Sequence, residues 1–327
     1  MKITRTIRTD LAMESREMAQ QGSQQEIPGV LVDNVRLKNI NITRVEITSP
    51  TGEARIGKPI GNYITLEIPG IKDRDPEYEE RVSKQLAEEI ERLIKLDEKS
   101  TVLIVGLGNW NITPDAVGPK VVERLMVTRH IFEFVPDQVD ERMRPVSAVS
   151  PGVLGITGVE TGEVIHGLVE KIKPDLVIAV DALASRKTER IGSTIQIADT
   201  GINPGSGIGN KRMGISKETL GVPTLAIGIP TVVYAYTIGR DAIEMVLDQL
   251  RQDIEPGSQA EKLISSMDQE HVDKAIDAVL AEGLGDLVVT PKEVDVLIDD
   301  VCGMIANGIN LAVHRGISLG EIKRFLH

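Results

Sequence analysis

With 327 residues, 41% of them hydrophobic, the chain can bury one large core or two modest ones. Its 49 acidic and 37 basic residues give a net charge of −12; with aromatic residues at only 2% and no long basic run, this argues against nucleic acid as a direct partner and for an aliphatic core. The single cysteine, Cys302, excludes an internal disulfide and a cysteine-based metal site, and reads as a small buried hydrophobe.

The stretch IRTDLAMESRE, from Ile7 to Glu17, has no basic start, no sustained apolar run and no small-residue cleavage site, so it is not a secretory signal. No membrane-length apolar run is read elsewhere, and the expected location is the cytoplasm or a compartment derived from it, with no membrane partner. Two readings of this stretch compete. It can be the first turns of a helix capped by Thr9 or Asp10 and favoured by Glu14, Arg16 and Glu17. It can also be a segment meant to be cut. Residues 1–25, ending in the Gln-rich QQGSQQE, read as a mobile arm, and residues 26–327 as a single α/β domain.

Further along, VRLKNINITRVEIT and NYITLEIPG are rich in β-branched residues and predict strands, antiparallel in a small N-terminal β subregion. EYEERVSKQLAEEIERLIKL has apolar positions at helical spacing, and TVLIVGLGN is a continuous apolar run stopping at glycines. Helices are then expected at DAVGPKVVERLMV and GEVIHGLVEKIK, strands at PDLVIAVDAL, STIQIAD and TLAIGIP, and a final helix within PKEVDVLIDDVCGMIANGINLAV. Helices alternating with apolar strands predict a mostly parallel central sheet covered on both faces. Residues 251–285 are charged and amphipathic without a chemical signal, and no internal repeat is present.

In open parallel sheets, ligands bind beyond the carboxyl ends of the strands. Two acids fall there: Asp115, at the start of a helix after the VGLGNWNITPD loop, and Asp181, directly after PDLVIAV. If their strands are neighbours, the two carboxylates face one cleft and can position and deprotonate a water. Each also has a structural explanation, Asp115 as a helix N-cap and Asp181 as a turn residue. The histidines, His130, His166, His271, His314 and His327, lack metal-ligand spacing. GINPGSGIGNKR lacks the spacing of a phosphate loop, and its Ser206 lacks a nucleophile elbow. Arg186, Lys187, Arg190, Lys211 and Arg212 follow the candidate loops and can receive an acidic substrate side chain or pair with surface carboxylates.

These same residues carry a resemblance. VGLGNWNITPDAVGPK, RPVSAVSPGVLGITGVET, PDLVIAVDALASR, IQIADTGINPGSGIGNKR, GIPTVV and VTPKEVDVLIDD, in that order over most of the chain, resemble the germination protease family of spore-forming bacteria. The resemblance implies an aspartic-type endopeptidase of the spore core that starts the degradation of small acid-soluble spore proteins. It also implies a homotetramer, a self-processing precursor, no cofactor and no metal. It assigns the two catalytic aspartates to Asp115 and Asp181. Processing would fall between Asp10 and Leu11, where an acid precedes an apolar residue and small and acidic residues follow, which makes residues 1–10 a prosegment. Asn203 receives no catalytic role. VLIVGLGNWNITPDAVGPKVVERL is also similar to the opening of hydrogenase maturation endopeptidases, which implies a shared phosphorylase/hydrolase-like three-layer fold. That group binds nickel through matching acids and a histidine, and no histidine follows Asp181 at a comparable loop. The alternatives are therefore a metal-dependent endopeptidase of that type, or a non-catalytic binding protein.

Overall fold

A computed structural model describes residues 8–20, 26–203, 213–253, 269–284 and 286–326. Among them lie strands β1 (Val30–Leu37), β2 (Ile40–Ile47), β3 (Gly61–Glu67), β4 (Val102–Gly106), β5 (Val146–Val149), β6 (Leu176–Ser185), β7 (Thr194–Ala198), β8 (Thr224–Tyr234) and β9 (Val288–Val289). The helices are α1 (Ala12–Ala19), α2 (Pro50–Ile56), α3 (Pro76–Leu93), α4 (Val117–Val122), α5 (Arg129–Phe134), α6 (Leu154–Thr157), α7 (Thr161–Ile172), α8 (Lys217–Leu220), α9 (Ala235–Asp253), α10 (Gln269–Leu284), α11 (Val294–Val313) and α12 (Leu319–Leu326).

All the strands join one sheet in the order β1-β2-β3-β7-β8-β6-β4-β5, with β9 added on β8. The sheet is mixed, which corrects the expectation of a mostly parallel one. Only β5-β4, β4-β6 and β6-β8 pair in parallel; β1-β2, β2-β3, β3-β7, β7-β8 and β8-β9 are antiparallel. The reason is connection length. Between β1 and β2 stand two residues, Lys38 and Asn39, with Asn39 at φ 59°, and a connection that short permits only an antiparallel hairpin. The N-terminal β region is thus a meander continuous with the main sheet through β3-β7.

Alternation along the central strands sorts the core into two faces. Val102 and Ile104 of β4 and Leu176, Ile178 and Val180 of β6 pack with α3, α4 and α11. Leu103 and Val105, with Val177 and Ala179, pack with α7 and with Leu220 of α8. Apolar residues on both faces explain why these strands read as uninterrupted apolar runs. Helix α11 is long and apolar enough to cross a membrane by length and composition, but most of it is buried against α3 and α4. Cys302 lies inside this helix, fully buried, its thiol donating to the Val117 carbonyl and pushed by burial to a pKa of about 12.

At the end of α11, His314 is 1% exposed; its Nδ1 accepts from the Arg144 N–H at 3.3 Å, so the Nε2 that faces the Met126 carbonyl at 3.2 Å carries the proton. Burial holds its pKa down to about 4 from 6.5. The unfolded chain therefore takes up a proton first as pH falls. This contribution to stability is full above pH 6.5 and is lost between 6.5 and 4, up to about 3 kcal/mol. Urea unfolding over that range is expected to weaken the native chain more steeply than a His314→Gln variant, and equal slopes would exclude His314 as the cause.

Candidate active site

Strand β6 is longer than its neighbour β4. The β4-β6 ladder ends at Gly106↔Val180, whereas β6 continues beside β8 to Ser185↔Val233. Asp181 is the first residue beyond the shared ladder, so it lies inside β6 and not, as expected, at its end. It is 8% exposed, and its Oδ1 accepts from the Ala182 N–H at 2.8 Å. The register of β6 against β8 shifts between Leu183 and Ala184, opposite Pro230 and Thr231. A proline without an N–H suits such an irregularity, and bulges of this kind bend a strand beside a site.

Asp115 arrives from the other side. After β4 the chain turns through Leu107–Pro114 into a 3-10 turn, Thr113–Asp115, packed against β6 and β8. The expected cap role does not hold: Ala116 is the N-cap of α4 and offers no side-chain bond. Instead Asp115 closes the loop, with its Oδ2 and its carbonyl both accepting from the Asn109 N–H, at 2.8 and 3.0 Å. Two glycines permit this. Gly108 has φ +110°, and a Cβ on it would lie 2.0 Å from the Asp115 carbonyl oxygen; a Cβ on Gly118 of α4 would lie 2.2 Å from the Leu107 oxygen.

Asp115 and Asp181 line one cleft of about 410 Å³, with Lys58, Tyr63, Gln196 and Tyr234 among its walls. Asn203 also borders it. Asp10 borders it too, and Lys58 and Gln196 are walls that sequence reasoning did not place there. The Asp10 N–H donates to the Ala184 carbonyl at 2.9 Å, and its Oδ2 accepts from the Ala184 N–H at 2.8 Å. Asp10 thus meets the open edge of β6 at Ala184 through one backbone bond and one to its carboxylate. Leu11 follows, fully buried with Met13 against Leu183. Helix α1 then begins, with Leu11 as an N-cap lacking a side-chain bond, so neither Thr9 nor Asp10 caps it as expected.

The arm was expected to be mobile, but residues 10–19 are docked, because acidic groups add to the apolar anchors. Glu14 is 1% exposed and accepts from the Arg186 N–H at 2.6 Å, the Lys187 N–H at 3.1 Å and Arg190 Nη1 at 2.8 Å. Glu17 pairs with Arg190 Nη2 at 2.7 Å and Lys187 Nζ at 3.2 Å. Burial would raise the pKa of Glu17, yet the Arg190 and Lys187 bonds bring it below its ordinary value; burial opposes the charge of Arg190, yet Glu17 and Glu14 hold its pKa above normal. The Arg186 guanidinium turns to Asp241 at 2.7 Å. Lys211, Arg212 and Ser206 lie outside the described residues. Among the described residues, no group of three or more His, Cys, Asp or Glu is arranged to hold a metal ion.

A cleft that holds the backbone at Asp10 beside two carboxylates suits a peptidase, a hydrolase of peptide bonds. A family model described as germination protease matches residues 7–266 and 258–325. Germination proteases of Clostridium tetani and Caldanaerobacter subterraneus subsp. tengcongensis are 48% and 50% identical to this chain, over 98% and 100% of it and 100% of each relative. That of Bacillus cereus is 43% identical over 98% of the chain and 97% of its own length. The chain belongs to the germination protease family, whose members act in spore germination.

Gly108→Ala is expected to shift Asp115 and lower peptide cleavage by about 100-fold or more, since small misplacements at a reacting centre are costly. Steady-state cleavage of an unstructured peptide by the variant measures this, and a rate equal to that of the parent would remove the close approach from the account.

Proposed function

We propose that the chain is a precursor endopeptidase whose first substrate is its own Asp10–Leu11 bond, with Asp115 and Asp181 together activating the attacking water. The observation that carries this reading is the seating of Asp10 in the cleft that both aspartates line. Removal of residues 1–10 then yields a product starting at Leu11. In the mature enzyme the vacated β6 edge takes a substrate strand at Ala184. In the precursor the pocket formed by Arg190 and the Arg186 and Lys187 N–H groups holds Glu14, the acidic residue on the far side of the cut, and keeps the segment in register with the cleft.

The family and the sequence resemblance together support small acid-soluble spore proteins as the substrates, the spore core as the location and a homotetramer as the working assembly. They also support reading the mixed sheet as a phosphorylase/hydrolase-like three-layer fold. Two carboxylates beside one water repel, which favours a shared proton and a pH dependence belonging to the pair. One carboxylate takes a water proton as the oxygen attacks the peptide carbon, and the other supplies a proton to the departing amine. The described lining of the cleft contains aspartates, amides and a lysine but no histidine, which favours this chemistry over a nickel-dependent endopeptidase.

Asp115→Asn and Asp181→Asn are each expected to keep the fold and abolish cleavage, because the amide keeps the shape and loses the base. N-terminal sequencing of protein incubated under mildly acidic conditions should find Leu11 first in the parent and Met1 in either variant. Processing that persists in a variant would remove that aspartate from the mechanism, and an active parent still beginning at Met1 would end the self-processing reading.

Activity should also survive both Cys302→Ala and a strong chelator. Loss of activity under the chelator, restored by one divalent metal, would favour the metal-dependent reading instead.

A further inference from the structure

The carbonyl oxygen of Asp10 accepts two hydrogen bonds, one from Lys58 Nζ at 3.0 Å and one from Gln196 Nε2 at 3.0 Å. One neutral donor satisfies an ordinary buried peptide carbonyl; a cation and an amide converging on the same oxygen are more than the resting amide requires. The two donors come from unrelated parts of the chain. Lys58 follows the left-handed Gly57 that ends α2, and Gln196 is the central residue of β7, flanked by Ile195 and Ile197. Gln196 is 8% exposed, and its orientation is unambiguous: its Oε1 accepts from the Ala12 N–H at 2.6 Å, and a backbone N–H can only donate, so Nε2 must face Asp10. The side chain therefore grips the backbone on both sides of the Asp10–Leu11 bond.

We propose that Lys58 and Gln196 are the groups that stabilise the oxyanion in this peptidase, an inference that rests on Asp10–Leu11 being the bond cut. A water oxygen bonds to the Asp10 carbonyl carbon and gives one proton to a carboxylate of the aspartate pair. The carbonyl π electrons move to the oxygen, which becomes an oxyanion facing the Lys58 ammonium and the Gln196 amide. As the carbonyl re-forms, the bond to the Leu11 nitrogen breaks, and that nitrogen takes a proton from the pair and leaves as an amine. Charge develops on the one atom that both donors already face, which is where preorganised donors contribute to catalysis. Desolvation lowers the pKa of Lys58, and the neighbouring Asp10 carboxylate opposes this. Stabilising charge on the oxygen would recover part of that desolvation.

The test is self-processing of the full-length precursor, followed as a single turnover by the loss of residues 1–10. Lys58→Cys should slow it about 100-fold, and Lys58→Met, which keeps an unbranched stem, should do the same. Alkylation of the cysteine variant with 2-bromoethylamine rebuilds an ammonium at that position, and should restore the rate to within about tenfold of the parent. Iodoacetamide, which leaves a neutral adduct, should not. Cys302 is fully buried, which directs both reagents to residue 58. Gln196→Ala should also slow the reaction, and hydrogen exchange at the Asp10 amide reports whether the segment stays docked. A parent precursor never cut between Asp10 and Leu11 would refute the processing reading itself. A parent cut normally, with Lys58→Cys and Lys58→Met within about threefold of it, or a neutral adduct that rescues as well as the charged one, would overturn only the assignment to Lys58.

Discussion

Strand β6 runs five residues past the end of its ladder with β4, while β8 supports it on the other edge through Ser185. An overhang of this kind leaves backbone donors and acceptors on one side without a strand partner, and buried peptide groups do not stay unsatisfied. The remainder of the site follows from how those groups are met. Leu107 donates to the Val180 carbonyl and brings the Asp115 loop over the sheet. Asp181 sits at the step where one ladder stops, and Ala184 takes Asp10. The overhang places the carboxylates and a peptide backbone in one cleft because it is both the end of one pairing and the beginning of another.

The N-terminal segment is held by two kinds of force with different consequences. Burying Leu11 contributes about 1.5–3 kcal/mol. The Arg190–Glu14 pair adds little net stability over an apolar pair, but breaking it would leave a buried charge, at a cost of about 3–5 kcal/mol. Both anchors lie after the Asp10–Leu11 bond. Before it, within the described residues, stand the Asp10 contacts, the Thr9 hydroxyl donating to Glu14, and Arg8 over the Tyr234 ring. On the proposed cut, the strongly held part remains with the enzyme, and the described residues of the departing part keep polar and cation–π contacts that water can replace. A precursor held this way is stable until the covalent bond is broken.

The same reasoning separates binding from chemistry in the cleft. On the proposed cut, Ala184 and the Arg190 pocket hold the segment through atoms other than the reacting carbonyl, and they act alike on substrate and transition state. Lys58 and Gln196 face the Asp10 carbonyl oxygen, whose charge changes in the proposed reaction, so on that proposal their interaction strengthens as the reaction proceeds. Gln196 belongs to both groups, since its other end holds Ala12.

Much of this protein was legible in order along the chain. The periodicities of α3 and α11 and the apolar runs of β4, β6 and β8 depend on local pattern and survive into the structure, because elements buried on both faces must be apolar throughout. Asp181 stood out as an acid within the apolar run of β6, and Asp115 as an acid after the loop that leaves β4. Gln196 left a weaker signal, a lone amide in the middle of STIQIAD, and Lys58 left none, being a lysine in a loop like many others. The sheet's mixed character, the docking of residues 10–19 and the meeting of Lys58, Gln196 and Asp10 were decided by tertiary structure alone. Sequence pattern records what each residue needs from its immediate neighbours, whereas a site assembled across 48 and 186 positions of chain depends on which strand outlasts which.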